Sequence, residues 1–391
     1  MSKPNPMRTR PVQTSGLYRS ENKSDAQRGR SRVADTPELT AYYNELSQVS
    51  ATAFWKRAND IEPWEPVTRY RPTIWRYDDM RPLVLRSAEL VKPEDAGRRV
   101  VVLMNDSEAG RQHTAAVGWL FSGLQVMKPG EITPAHRHTA SAHRFIMEGG
   151  GAYTVVDGHE ITLEGNDYVL TPNGCWHDHG VFKDGKVSIW QDGLDIPLMN
   201  ALETNFYAVY PEDCQKPLYP RNNSPLIYGN AGVLPAFGRG WDRPYSPLMV
   251  YRWSVTREAL YNLARSDEPS PFDGYIMRYT NPLTGGWAMQ TMGAHMQMLS
   301  PGMRTKAHRH TGNVVYNVAG GEGYSIINGQ RFDWKTHDIF CVPSWCWHEH
   351  VNLSQSEGAF LFSFNDFPVM ESLGIYLEEP LEENGGHQKT E

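Results

Sequence analysis

One long segment occurs twice in this chain. The first copy reads LQVMKPGEITPAHRHTASAHRFIMEGGGAYTVVDGHEITLEGNDYVLTPNGCWHDH, and the second reads MQMLSPGMRTKAHRHTGNVVYNVAGGEGYSIINGQRFDWKTHDIFCVPSWCWHEH. Gln125 matches Gln297 and His136 matches His308, 172 residues further on. Tyr153 matches Tyr324, Asp167 matches Asp338 and His179 matches His350 at 171, so one residue is lost in the turn between. A duplicated unit of this size fills a 391-residue chain with two domains and leaves no need for a third fold.

Each copy reads as β structure. In the first half, strand signals run through Arg99–Met104, Trp119–Met127, Tyr153–Val156, Tyr168–Leu170 and Val187–Trp190, with Pro, Gly and Asp turns between them. They resume near Trp287–Leu299 and continue to Phe364. Residues 1–35 are basic and read as a flexible arm. From Thr36 to Asn59, Leu39, Tyr42, Tyr43, Leu46 and Val49 recur at helical spacing behind a cap at Asp35 or Thr36. The expected organisation is a helical and extended segment over 36–95, a first β domain over 96–198, a linker over 199–270 and a second β domain over 271–370. An acidic tail over 371–391 reads as loose.

The 38 basic and 45 acidic residues give a net charge of -7, which speaks against nucleic acid as a partner. The basic arm lacks the apolar core of a secretory signal, and no run reaches the roughly 18 apolar residues of a membrane helix. Cys175, Cys214, Cys341 and Cys346 form no CxxC pair, which fits a reducing cytoplasm. Cys175 and Cys346 each sit near a histidine pair but read as ordinary core thiols.

Eight of the 14 histidines fall in the two repeated clusters. His136 and His138 are two apart, so on a strand they share a face, and His177 and His179 repeat that spacing about 40 residues later. Neutral imidazoles in this pattern are metal ligands, and three of them leave one side of an ion open for substrate and dioxygen. His136, His138 and His177 are the expected ligands, with His179 beside the metal as a donor or proton carrier. His113, His143 and His159, taken singly, read as ordinary polar residues. Arg144 lies on the next strand. An arginine aimed into an apolar interior needs an anion, and a carboxylate gripped by two N–H groups is the natural one. In the second copy Tyr316 stands at that position, while His308, His310 and His348 are kept as a possible second metal site.

The motifs LQVMKPGE (124–131), PAHRHT (134–139), RFIMEG (144–149) and LTPNGCWHDHG (170–180), with AHRHT and VPSWCWHEH in the second half, resemble the gentisate 1,2-dioxygenase family of bicupins. That family includes salicylate and 1-hydroxy-2-naphthoate ring-cleaving enzymes, and the match covers residues 36–370. The resemblance implies an all-β bicupin with two closed double-stranded β-helix (jelly-roll) barrels and N-terminal helical additions. It implies iron(II) on His136, His138 and His177, substrate carboxylate on Arg144, a pocket lined by Gln125, and hydroxyl contact by His179. It also implies a carboxylate near the ring 5-substituent, with Asp192 and Asp195 in WQDGLD as the candidates. Phe121 stands where salicylate-cleaving relatives place tryptophan, which speaks against plain salicylate.

The implied reaction opens a 2-hydroxybenzoate ring between the carboxyl-bearing and hydroxyl-bearing carbons and adds both atoms of dioxygen. Gentisate to maleylpyruvate ranks first, then 5-aminosalicylate or another substituted salicylate, then 1-hydroxy-2-naphthoate. The different-class alternative is a metal-dependent bicupin isomerase or decarboxylase. A cytoplasmic homotetramer is the implied assembly.

Overall fold

A computed structural model of the protein describes residues 33–230, 232–236 and 241–390. Most of the basic arm lies outside the described residues. The chain divides into two compact units. The residues up to Thr68, with Leu377–Glu379, form one, and Arg69–Tyr376 with Pro380–Glu391 form the other.

In the first unit, Thr36 caps the helix Pro37–Gln48 by accepting from Leu39 N at 3.2 Å. Such a cap is worth about 1 kcal/mol. The expected single helix to Asn59 is two, because the chain turns and restarts at Phe54–Ile61. Trp55 Nε1 donates to Tyr43 Oη across that turn at 3.0 Å. No residue of the longer helix is buried.

The second unit holds both sequence copies. Its strands are β1 (Thr73–Trp75), β2 (Val100–Val102), β3 (Phe121–Met127), β4 (Ile132–His138), β5 (Ala142–Val156), β6 (His159–Leu163), β7 (Tyr168–Thr171), β8 (His177–Leu194), β9 (Tyr207–Val209) and β10 (Val250–Tyr251). The second copy continues with β11 (Tyr275–Arg278), β12 (Gly293–Leu299), β13 (His308–His310), β14 (Val314–Gly320), β15 (Glu322–Ile327), β16 (Gln330–Lys335), β17 (Ile339–Val342), β18 (His348–Asn352) and β19 (Ala359–Asn365).

The expectation of an all-β fold with two closed jelly-roll barrels is not met. The fold is cupin-like and sheet-rich but 22% helical, and its sheets are open. In the first copy a nine-stranded sheet runs β10-β7-β5-β8-β3-β2, with β4, β6 and β9 attached off that path. Closure needs the end strands to pair. Here β10 and β2 end the sheet on partners β7 and β3. The second copy splits into separate layers, β1-β17-β14-β19-β12-β11 and β16-β15-β18-β13. In the first copy β5 and β8 are 15 and 18 residues long and hold both layers together, with register shifts between Ile146, Glu148, Gly150 and Ala152. Bulges of this kind bend a strand from one layer into the next.

The halves exchange their edges. β1, which precedes the first half, pairs with β17 of the second, and β10, which precedes the second half, pairs with β7 of the first. After each edge strand comes an arginine and a 14-residue helix, Tyr77–Leu90 or Trp253–Ser266. Asp338 Oδ1 accepts from Tyr77 N at 2.7 Å and Asp167 Oδ1 from Trp253 N at 2.9 Å. Asp338 also pairs with Arg76, and Asp167 with Arg252. The repeat therefore begins upstream of the histidine motifs, in the IWRY and VYRW tetrapeptides.

One apolar core joins the halves, including Leu124, Phe145 and Ile189 of the first and Met296, Phe362 and Phe364 of the second. Phe145 stacks on Phe362 with centroids 4.2 Å apart and planes 6° from parallel. Such a pair adds about 0.5–1.5 kcal/mol to its burial. The repeat-related pair is polar, with Asn317 Nδ2 donating to Gln191 Oε1 at 2.9 Å. His143 enters the same interface, edge-on to Phe364 at 4.4 Å, and neither ring nitrogen has a partner. Only glycine fits opposite it, since a Cβ on Gly193 would fall 2.3 Å from His143 Nε2.

Burial holds His143 down at about 3, against 6.5 ordinarily. Its folded pKa is depressed, so its neutral form stabilises the fold above pH 6.5, and that contribution is lost as pH falls and the unfolded chain takes the proton. From pH 7 to pH 5 the loss from this residue is about 2 kcal/mol. Denaturant unfolding at both pH values should show a pH-dependent loss that is smaller by about that amount in His143→Phe. Equal losses in variant and wild type would exclude the assignment.

The acidic tail is bound along much of its length. Ala307 N donates to Gly386 O at 2.7 Å, Gln388 Nε2 donates to Ile326 O at 2.8 Å, and His387 Nδ1 lies 2.9 Å from the buried Glu349 carboxylate.

Candidate active site

The first histidine cluster is assembled by register. β8 opens at His177 between β4 and β5, with His136 and Val156 opposite His177 and Thr133 and Thr154 opposite His179. Residues two apart on one strand then project inward together. The donor nitrogens of His136, His138 and His177 lie within 4.8 Å of one another, and all three residues are buried.

Each ring is oriented by a backbone carbonyl. His136 Nδ1 lies 2.7 Å from Pro134 O, His138 Nδ1 2.8 Å from Ala140 O, and His177 Nδ1 2.9 Å from Cys175 O. A carbonyl only accepts, so the proton sits on Nδ1 and the Nε2 lone pairs converge. Nε2 of His136 and of His177 is buried without a protein partner. Burial holds His136 down at about 4 and His138 at about 3, and it pushes His177 well below the ordinary imidazole range. Three neutral imidazoles with converging lone pairs, two of them orphaned, are the donor set of a divalent metal with an open side.

Beside this cluster, Arg144 is fully buried. Its Nη1 donates to Thr171 Oγ1 at 2.6 Å, its Nη2 donates to His179 Nε2 at 2.6 Å, and its Nε lies 3.1 Å from Asp192 Oδ1. Burial lowers the guanidinium to about 10, so it stays cationic at neutral pH, while burial raises Asp192. Because Arg144 donates to Nε2, His179 carries its proton on Nδ1, 2.7 Å from Thr154 Oγ1. Thr154 passes the chain on to Asp178 O at 3.1 Å. Nη1 and Nη2 each spend one N–H on Thr171 and His179, while Nε is ion-paired with Asp192 without a hydrogen bond. One N–H on each Nη remains for a further acceptor, and a carboxylate supplies two.

Gln125 is buried on β3, with Nε2 donating to Thr133 Oγ1 at 3.1 Å and Oε1 left without a partner. Phe121 shares its strand face but packs at the far end, against the cluster of Ala140, Ala142, Leu194 and Met199. Asp192 and Asp195 separate clearly. Asp192 sits opposite Arg144 in register. Asp195 lies past the strand end, bonded to Thr291 Oγ1 and lining a separate cavity of about 330 Å³. Cys175 bonds Tyr245 Oη at 3.1 Å rather than turning to the histidines.

Two neighbours of the cluster were not singled out in the sequence. Arg98 Nη1 comes within 3.5 Å of His138 Nε2, and the Tyr207 ring stacks on His136 at 5.3 Å. Both come from short stretches with no repeated motif. The second cluster, His308, His310 and His348, also brings its donor atoms within 4.8 Å.

Fold and site together define a bicupin metalloenzyme. The cupin domain family matches residues 123–196 and 295–364. The chain is 37% identical to the 5-aminosalicylate 1,2-dioxygenase of Comamonas sp., over 90% of this chain and 92% of that one. It is 35% identical to gentisate 1,2-dioxygenase 1 of Aquipseudomonas alcaligenes, over 89% and 98%. The solved salicylate 1,2-dioxygenase of Pseudoaminobacter salicylatoxidans, as its adduct with gentisate, superposes with a TM-score of 0.81 at 29% identity, over 90% and 96%. The chain belongs to the gentisate/salicylate 1,2-dioxygenase family of bicupins. It is an iron(II)-dependent ring-cleaving dioxygenase. No helix among the described residues is long and apolar enough to cross a membrane.

Proposed function

We propose that the protein opens gentisate between its carboxyl-bearing and hydroxyl-bearing carbons to give maleylpyruvate, with the half spanning residues 96–198 catalytic. The carrying observation is the buried guanidinium of Arg144, which keeps one N–H on each Nη for a further acceptor and bonds His179 beside three converging imidazoles. His136, His138 and His177 would hold the iron. Iron(II), when bound, supplies an open-sided Lewis-acid and one-electron centre for an aromatic acid and dioxygen.

The residues around it do the positioning. The two remaining N–H groups of Arg144 neutralise the incoming carboxylate, while Asp192 and Thr171 keep the guanidinium in line. Drawing the fork toward the carboxylate releases His179 Nε2, which then accepts the hydrogen of the ring hydroxyl. Thr154 holds the far side of His179 in one tautomer throughout. Gln125 Oε1 offers a further acceptor in the pocket, and Phe121 bounds its end. The cation Arg98 beside His138 favours an anionic substrate.

The 37% identical relative is named for 5-aminosalicylate, which has the same hydroxy-acid head and another electron-donating group at the 5-position. Turnover of gentisate, 5-aminosalicylate, salicylate and 1-hydroxy-2-naphthoate, followed by oxygen uptake, tests the ranking. Gentisate should give the highest kcat/KM. A higher value for 5-aminosalicylate would reassign the substrate, and equal turnover of unsubstituted salicylate would remove the role of the 5-substituent.

Four free cysteines, three of them buried, support a cytoplasmic location. The exposed apolar side chains Tyr42, Val49, Phe54 and Ile61 of the helical N-terminal segment support a homo-oligomer, which we take to be a tetramer. Light scattering on dilute protein should give four chains, and a stable monomer would reject it.

A further inference from the structure

We propose that Trp190 is a positioning residue for the substrate carboxylate: its indole N–H donates to Asp192 Oδ1 when Arg144 turns to the incoming acid, and so keeps the guanidinium aimed. This rests on Arg144 holding the substrate carboxylate, and not on which acid is opened.

Trp190 lies on β8 and is fully buried. It packs with Met127, Ile146, Val169 and Met249, an apolar wall that offers its N–H nothing. Nε1 has no hydrogen-bonding partner. A buried indole N–H normally finds one, because leaving it unmade is costly. The ring also borders the site, edge-on to His179 with centroids 6.3 Å apart and planes at 73°.

Asp192 is two residues further along the same strand, so both side chains lie on one face. It is buried, and its Oδ1 also lacks a hydrogen bond. Arg144 Nε stands 3.1 Å from that oxygen as an ion pair only. Burial raises the Asp192 carboxyl, while Arg144, Arg98 and the Trp190 N–H all pull it back. A donor without an acceptor thus neighbours a carboxylate oxygen without a donor. When Arg144 turns toward an anionic substrate, its hold on Asp192 loosens, and the indole N–H is in place to take over. Asp192 then stays ionised and fixed, which keeps the guanidinium directed at the acid. Gln125 Oε1 is also unpartnered and stands opposite Trp190 in register, but it is neutral, and a charged acceptor forms the stronger bond.

The second half treats the three groups as a unit. In the first half Arg144 pairs in register with Asp192, and Ile146 with Trp190. In the second, Tyr316 pairs with Ser363, and Val318 with Leu361. Guanidinium, carboxylate and indole are therefore replaced together, whereas the histidine triad and the glutamine are kept. Packing alone does not tie an indole to an ion pair in this way.

The test compares iron-loaded wild type, Trp190→Phe, Asp192→Ala and the double variant by oxygen-uptake kinetics on the best acid, with iron content measured on each. Trp190→Phe keeps a large ring and removes the N–H. Its KM should rise about tenfold, the size of one hydrogen bond to a charged group, with kcat lowered less than about threefold and iron unchanged. In the Asp192→Ala background the same change should raise KM less than about twofold, because the acceptor is already gone. An unchanged KM in Trp190→Phe, or equal rises in both backgrounds, would overturn the proposal and leave the indole a packing group. Unchanged KM in Arg144→Ala would instead reject the carboxylate contact on which it rests. Where a variant does not fold or loses iron, crystals of the wild-type iron protein with that acid, grown without oxygen, decide. Trp190 Nε1 within hydrogen-bond reach of Asp192 Oδ1 is expected, and an indole N–H on Gln125 Oε1, on any other acceptor or on none would overturn it.

Discussion

Arg144→Ala should lower kcat/KM for the aromatic acid by about two to three orders of magnitude while iron content stays at the wild-type level. The guanidinium is fully buried and none of the converging histidine nitrogens belongs to it, so its loss spares the metal. Removing one partner of a buried charge pair costs about 2–5 kcal/mol, and each 1.4 kcal/mol is about tenfold. Part of that cost is the Asp192 carboxylate left in an apolar wall. Arg144→Lys keeps the charge but not the fork, and it should recover only part of the loss. Iron analysis and oxygen-uptake kinetics on the same preparation check both. Unchanged kcat/KM in Arg144→Ala would take the residue out of the pocket.

His177→Ala should lose iron and turnover together. The ring contributes one of three converging nitrogens, and its orientation is fixed by Cys175 O. Disturbing a group that merely supports a ligand costs about 10–100-fold in metal affinity, so removing a ligand costs more. The contrast is His179→Gln. His179 Nε2 is committed to Arg144 and its Nδ1 to Thr154, so that variant should keep its iron and lose rate. Full iron content in His177→Ala would break the assignment, as would iron loss in His179→Gln equal to that in His177→Ala. Melting curves for each variant separate metal loss from unfolding.

Much of this centre was legible in the sequence because strand geometry has a fixed period. HxH in β4 and β8 can only place both imidazoles on one face, and the repeat supplied the pairing of copies. The same alternation separates Asp192, which falls opposite Arg144, from Asp195, which falls after the strand at the start of the helix Ile196–Ala201. That distinction needed the register, which the sequence does not carry. Arg98 was beyond reach because it is delivered by a loop, where no periodicity constrains direction.

Closure was misread for a related reason. Whether a sheet closes depends on its end strands, and here one end of each large sheet is β10 or β1, a short segment exchanged between halves from outside the recognised repeat. Their signal, an aromatic-Arg-aromatic triplet ahead of a helix, is present at Trp75–Tyr77 and Tyr251–Trp253 but too short to stand out. The matched Asp167 and Asp338 were visible, yet their arginine partners belong to the opposite half of the chain. The acidic tail looked loose because its composition gives no hint of the buried Glu349 that meets His387.

The most direct test is turnover of gentisate by the iron-loaded protein under oxygen-18 gas, with oxygen uptake and product mass followed together. Ring opening by a dioxygenase requires one dioxygen consumed per gentisate and both labelled atoms in a ring-opened product of unchanged carbon count. Conversion of gentisate without oxygen uptake, or with release of carbon dioxide and no label in the product, would contradict it and favour an isomerase or decarboxylase on the same histidines.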